Sequence, residues 1–360
     1  MTLFSPQRVG ALDLPNRIVM APLGRARGAP ASREPTALVA QYYAQRASAG
    51  LIVSEATHIS AETVSRRGTT AIHTEGQVAA WSRVTDAVHA SGGRIFQQLF
   101  HLGRKADPAL IPDGGWPRGP SAIAANATYA TPGGPKPFPA PRALERSEIP
   151  PLVEAFARAA ANARRAGFDG VEIHGANGFL IDQFLRDGAN LRQDLYGGDV
   201  DGRSRFLLEI VDAIAGQIGA NRVGVRFSPH PLADGTQDTE PGRLLKHAAT
   251  QLEKRAVAYI HLVEPAETPV DARIAPIVRQ NFSGPLILCG GYDKTSAETA
   301  LREGRTDLVA FGVGYIANPD LVERLRRDAP WNTPDPDTFY SGGAAGYTDY
   351  PALRPVTERA

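Results

Sequence analysis

Apolar runs of four to six residues, rich in valine, isoleucine and leucine, recur eight times along this chain, at 17–20, 51–54, 94–99, 170–174, 223–227, 258–263, 286–289 and 308–311. Stretches with helical spacing separate most of them. Between 203 and 218, for example, Phe206, Leu207, Ile210, Val211 and Ile214 fall on one face of a helix. Fully apolar short runs are strands buried on both faces, and a β-α-β-α rhythm calls for a parallel sheet with helices outside it. Eight such units predict a closed (β/α)8 TIM barrel, whose active site is built at the carboxyl ends of the strands. The chain therefore reads as one domain over 1–360, with residues 1–16 forming a short hairpin at the amino-terminal end of the barrel.

Helix boundaries are signalled locally. Thr74 and Gln77 form a capping-box pair ahead of the amphipathic run 78–89. Ser147 is placed to cap a helix that carries Pro150 and Pro151 in its first turn and stops near Gly167. Asn318-Pro319 reads as a cap followed by a first-turn proline, opening a helix over 320–327. Two stretches break the rhythm. Residues 108–141 hold nine prolines and many glycines; following the third run, they are expected to lie over the active-site mouth as a lid. The segment from 330 to the end carries Trp331, Phe339, Tyr340, Tyr347 and Tyr350, too aromatic for a free tail, and is expected to fold back on the barrel.

Composition adds exclusions. A net charge of +1 with no dense lysine or arginine block argues against nucleic acid or an anionic membrane as partner. No stretch approaches the roughly 18 uninterrupted apolar residues of a membrane span. The lone Cys289 leaves no internal disulfide, and the first ten residues lack the basic and apolar segments of a signal peptide, so a cytoplasmic enzyme is expected. The oligomeric state stays open between monomer and homodimer.

The chemistry sits where the runs end. The fourth ends Glu172-Ile-His174-Gly-Ala-Asn177-Gly-Phe179, the third Gln97-Gln98-Leu-Phe100-His101, the seventh Cys289-Gly290-Gly291 and the eighth Phe311-Gly312-Val313-Gly314. Side chains of His174 and Asn177 could converge on one acceptor, as a developing enolate or phenolate requires. Glycines at the seventh and eighth ends suit a phosphate held on backbone amides, although Gly290 and Gly291 taken alone are equally a tight turn. Arg226 points into the barrel as either a buried salt bridge, to Glu172 or Glu264, or a fixed cation beside an electron-rich ring. Gly312-Val-Gly314-Tyr-Ile-Ala317 matches a dinucleotide fingerprint but lies too near the end for the second strand that fingerprint needs. A metal site from His174, His261 and Asp307 lacks ligand spacing, so no metal is expected.

With these residues in view, the chain resembles the old yellow enzyme family, FMN-dependent barrels that reduce activated C=C bonds with NADH or NADPH in a ping-pong cycle. The likeness runs through Asn16-Arg17-Ile-Val-Met-Ala-Pro22, Ser54-Glu-Ala-Thr57, Gln98-Leu-Phe-His-Leu-Gly-Arg104, His174-Gly-Ala-Asn-Gly178, Tyr196-Gly-Gly198, Ile316-Ala-Asn-Pro-Asp-Leu321 and Gly346-Tyr-Thr-Asp-Tyr350. The resemblance implies that Pro22, Leu23 and Ala56 line the flavin, Gln98 bonds its pyrimidine edge and Arg226 stabilises its reduced anion. It implies that Gly290, Gly291 and Gly312 hold the phosphate, that His174 and Asn177 bind the oxygen of an α,β-unsaturated carbonyl substrate, and that Tyr347 lines the substrate pocket.

Several positions depart from the family. Phe179 replaces a tyrosine that protonates the α-carbon, Gly24 a threonine or cysteine on the flavin carbonyl, Phe100 a tryptophan, Arg66 a pocket tyrosine and Val313 an arginine on the phosphate. Phe179 suits a flavin-dependent isomerase or dehydrogenase of a specialised metabolite. Val313 and Phe179 together suit a barrel that only binds flavin or ligand. The retained His174, Asn177, Gln98 and Arg226 favour an ene reductase.

Overall fold

The computed structural model describes residues 1–63, 67–131 and 133–353. Its centre is a parallel barrel of eight strands: β1 (Ile18–Met20), β2 (Leu51–Val53), β3 (Ile95–Phe100), β4 (Gly170–Gly175), β5 (Val223–Phe227), β6 (Tyr259–Val263), β7 (Leu286–Cys289) and β8 (Leu308–Phe311). Each pairs with the next, β8 returns to β1, and β4 pairs with both β3 and β5, so the ring closes without an edge. The eight apolar runs are these strands, with ends shifted by one residue or less.

Alternation along each strand divides the side chains. Val19, Ala21, Leu51, Val53, Phe96, Tyr259, Ile287, Cys289, Leu308 and Ala310 form a core inside the ring, and the same period sends Gln98, Glu172, His174, Arg226 and His261 inward above it. The intervening Met20, Ile52, Leu99, Ile173, Val225, Ile260, Leu288 and Val309 face the outer helices in a second, larger core. A hairpin of Gln7–Val9 and Leu12–Leu14 supplies Val9 and Leu14 to the inner core. Its turn abuts the loop before β5, where Ala11 N–H donates to the Asn221 carbonyl at 3.0 Å.

Helices α1 (Ala37–Ala44), α2 (Glu75–Ala90), α3 (Ile149–Arg165), α4 (Leu180–Leu185), α5 (Val200–Ile218), α6 (Pro241–Lys254), α7 (Ala275–Asn281), α8 (Lys294–Arg302), α9 (Val313–Ala317) and α10 (Leu321–Arg326) follow. The Thr74–Gln77 capping box opens α2. Two caps lie elsewhere than expected. A turn of 3-10 helix over Arg146–Glu148 precedes α3, so Glu148 and not Ser147 stands at its N-cap. Asn318 closes α9 instead of opening α10, donating from its side chain to the Gly314 carbonyl at 2.8 Å, while Asp320 precedes α10.

The 108–141 insertion is ordered by short 3-10 turns, by pairing of Arg118–Gly119 with Arg142–Ala143, and by a hairpin of Thr128–Thr131 and Gly134–Pro137. The carboxyl-terminal segment is fastened by two arginines from the loop after β1. Arg27 donates to the carbonyls of Thr338 (2.6 Å), Phe339 (2.9 Å) and Gly343 (3.2 Å), and Arg25 to those of Phe339 (3.0 Å) and Gly346 (2.7 Å). Tyr347 stacks on Tyr42 with centroids 4.1 Å apart, below both guanidiniums.

Beside this cluster Glu55 is fully enclosed, and burial pushes its carboxyl up from 4.5 to about 7 despite the nearby Arg25 and Arg27. The folded protein therefore keeps a proton that an exposed glutamate releases, so this group's contribution is complete below about pH 4.5 and is lost as pH rises to about 7. Glu55→Gln removes the titration. Chemical denaturation at pH 5 and pH 7.5 should show wild type losing stability relative to the variant, by about 2 kcal/mol for a shift of this size; parallel pH profiles would refute the assignment.

Candidate active site

Parallel register sets three inward side chains in a row, because His174 lies opposite Arg226 and Arg226 opposite His261. Gln98 is level with Glu172 in the same way. Of these, Gln98, His174 and Arg226 form the floor of a cleft at the carboxyl ends of the strands. The cleft consists of two cavities of about 450 and 420 Å³ that share Pro22 and Arg226 as walls. The first is bounded by Gly24, Ala56, Gln98, Phe100, His174, Asn177 and Phe179, and the second by Leu23, Gly291, Gly312 and Val313.

Glu172 organises the floor. It is buried and accepts hydrogen bonds from Gln98 Nε2 at 2.7 Å, Tyr259 Oη at 3.0 Å and His261 Nδ1 at 2.8 Å. Burial opposes its charge, but the adjacent His261, Arg226 and Gln98 hold its carboxyl below the ordinary range. With one N–H of Gln98 committed to Glu172, its amide oxygen and remaining N–H are left for the cavity. The salt bridge considered for Arg226 does not form: Glu172 is occupied by His261, and Glu264 accepts the backbone N–H groups of Ile274 (2.6 Å) and Ala275 (3.0 Å). Among the described residues the side-chain partner of Arg226 is Cys289 Sγ at 3.9 Å, and its Nε has none. A cation thus faces the junction of the two cavities with no carboxylate against it.

His174 is held neutral: burial, then Arg226, His261 and Lys105, place its pKa well below the ordinary value. Its Nδ1 has no partner among the described residues. Asn177 adopts a left-handed backbone (φ 59°), fixed by its N–H donating to Ser228 Oγ at 2.7 Å and its carbonyl accepting from Lys105 Nζ at 2.9 Å. Phe179 meets the His174 ring edge-on at 4.9 Å and Phe100 at 5.3 Å, so both aromatic substitutions share one wall.

These features suit FMN. A flat tricyclic ring with a phosphate tail needs a long cleft, small residues on one face and a cation near the ring. A Cβ at Gly24 would meet no atom within 4 Å, and the left-handed Gly291 (φ 73°) lines the tail end with Gly312. Pro22, Leu23, Ala56, Gln98 and Arg226 could hold such a ring, and the amides near Gly291, Gly312 and Val313 could hold its phosphate.

Other expectations need correction. Gly290 is not among the residues lining the cleft, and a Cβ there would lie 2.7 Å from the Pro265 Cα, a close approach of two loops that calls for glycine. Tyr347 is sealed behind the wall among Tyr42, Arg25 and Arg27, and the cavity is lined instead by Tyr340 from the same segment. Arg66 lies outside the described residues. Lys105, Phe138 of the insertion, and Asn332 of the carboxyl-terminal segment line the cleft although nothing in the sequence assigned them a site role, and Trp331, expected only to pack on the barrel, lines it too. Lys105 directly follows the Gly-Arg104 motif, which was its only sequence signal.

Residues 2–332 match the NADH:flavin oxidoreductase / NADH oxidase family. A putative 12-oxophytodienoate reductase 11 of Oryza sativa subsp. japonica is 43% identical, over 98% of this chain and 97% of its own length. A probable flavin mononucleotide-dependent alkene reductase of Leishmania infantum is 40% identical, over 98% and 97%. Among solved structures, morphinone reductase in complex with tetrahydroNAD is 46% identical with a TM-score of 0.95 over all of both chains. An old yellow enzyme homologue from Zymomonas mobilis is 42% identical with a TM-score of 0.94, over 98% of this chain and 100% of that one.

Val313 lies at the tail end of the cleft and is 58% exposed. Val313→Arg should tighten FMN by only about tenfold, because solvent screens a guanidinium there. Flavin fluorescence titration of the apoprotein measures this; equal affinities would show that the side chain does not reach the phosphate.

Proposed function

We propose that this chain, which belongs to the NADH:flavin oxidoreductase / NADH oxidase family known as the old yellow enzymes, reduces the activated C=C bond of α,β-unsaturated carbonyl compounds with NAD(P)H, using FMN. The single observation that carries the reading is the juxtaposition of a neutral His174 and Asn177 with Arg226, which has no carboxylate partner among the described residues, in one cleft. Bound FMN supplies the hydride chemistry between dinucleotide and alkene, which take the cavity in turn. His174 and Asn177 donate hydrogen bonds to the substrate oxygen, drawing electrons from the alkene and holding the negative charge that develops there. A neutral imidazole performs this without handing its proton away. Arg226 would offset negative charge on a reduced flavin, and Gln98, aligned by Glu172, would hydrogen-bond its edge. No helix among the described residues is long and apolar enough to cross a membrane; with a single buried cysteine, we assign the enzyme to the cytoplasm.

The closest rival is a redox-neutral isomerase, which Phe179 would suit because it cannot supply a proton. Purified protein should be yellow and, without oxygen, oxidise one NAD(P)H per 2-cyclohexenone reduced. His174→Ala should lower kcat/KM by about 10²–10³, the usual cost of one donor to a developing oxyanion. Colourless protein that takes up no FMN would refute the reading, and rearranged substrate without NAD(P)H consumption would favour the isomerase.

A further inference from the structure

Addition of hydride to the β-carbon leaves an electron pair at the α-carbon, and a proton must reach it. Phe179, on the wall beside His174, has none to give. The remaining polar groups of this cavity can be sorted by chemistry. Arg226 does not deprotonate in proteins. His174 and Asn177 are assigned to the substrate oxygen, Gln98 is held by Glu172, and the Thr69 hydroxyl shares a hydrogen bond with His58 Nε2 at 3.0 Å. Tyr340 stands at the mouth, 55% exposed. Lys105 is the one ammonium lining this cavity among the described residues.

Its placement is specific. Lys105 Nζ lies 5.3 Å from the centre of the Phe179 ring, donates to the Asn177 carbonyl at 2.9 Å and forms an ion pair with the buried Asp234. Burial works against the Asp234 charge, but Lys105 and the N–H of Thr236, 2.9 Å from Oδ1, keep its carboxyl below the ordinary range. Asp234 therefore stays anionic and keeps the ammonium at the wall. The Lys105 side chain is only 16% exposed, enough to regain a proton from water but not to swing freely.

We propose that Lys105 is the general acid that protonates the α-carbon, a role that rests on the alkene-reductase reading above. The Nζ–H bond breaks, the electron pair of the enolate or nitronate forms the new C–H bond, and the charge on the substrate oxygen is discharged. The resulting amine takes a proton from solvent. The mobile phenol of a tyrosine is thus replaced by an ammonium approaching the same wall from the loop after β3.

The step can be isolated from hydride transfer by presenting a substrate anion made beforehand. The holoenzyme with oxidised flavin is mixed with the preformed nitronate of 1-nitro-2-phenylethane, and loss of nitronate absorbance is followed above the spontaneous rate. Wild type should accelerate the loss. Lys105→Met and Lys105→Arg should each slow the enzyme-dependent part by about 10²-fold, the lower part of the range for a positioned acid. Lys105→Met strands a buried carboxylate; Lys105→Arg is the decisive variant, since it keeps the charge and the ion pair but gives up no proton. Wild type that leaves the nitronate untouched, Lys105→Arg at wild-type speed, or a loss found only in Tyr340→Phe would each overturn the proposal. A parallel reaction of β-nitrostyrene with NADPH separates the two readings. In the Lys105 variants nitroalkene should disappear while nitronate builds up. If wild type consumes no nitroalkene yet still protonates the preformed nitronate, the reductase reading falls and the lysine assignment stands.

Discussion

A carboxylate buried inside the barrel, Glu172, sets the terms for everything above it. Such a charge is tolerable only when its lone pairs are filled, and Gln98, Tyr259 and His261 fill them at 2.7–3.0 Å. The donors come from two other strands, Gln98 from β3 and Tyr259 and His261 from β6, so closing the ring and satisfying the carboxylate are one event. Because His261 takes the place at Glu172 that an arginine could have filled, Arg226 keeps its charge directed at the cleft. That cation, in turn, helps hold His174 neutral. The electrostatics of the mouth thus descend from one buried group a layer below it.

The walls are assembled differently from the floor. Strand ends supply Gln98, His174 and Arg226 on rigid backbone, where a side chain is held by the ladder itself. The outer wall is borrowed from distant chain: Phe138 from the insertion, Tyr340 and Trp331 from the carboxyl-terminal segment. The arginine clamp from the loop after β1 keeps that last segment over the mouth, with each guanidinium spreading its donors over several carbonyls. A rigid floor under a borrowed wall lets the chemistry stay constant while the pocket's shape varies.

The departures cluster by consequence. Gly24 and Phe100 enlarge the space around the ring, and Phe179 packs against Phe100 in a hydrophobic patch. That patch removes a hydroxyl from one wall while Lys105 brings an ammonium beside it. With Val313 at its position, a phosphate at that end would rest more on backbone amides.

The order of residues alone disclosed the barrel, since a strand buried on both faces must be apolar throughout and a parallel return needs a helix between. It also disclosed the floor: period-two alternation sends Gln98, Glu172, His174 and Arg226 to the inside whatever the rest of the chain does, and the motifs that carry the family resemblance lie on those strands. Packing decided which of two glycines faces the cleft, since Gly290 touches Pro265 and Gly291 does not. It also decided that Tyr340 and not Tyr347 borders the cavity, and that Asn318 closes one helix instead of opening another. Lys105 acquired its place only through Asp234 and Asn177, at positions 129 and 72 residues away in the chain. Local periodicity constrains neighbours two to four residues apart; contacts between segments hundreds of residues apart leave no such rhythm, and only the folded chain records them.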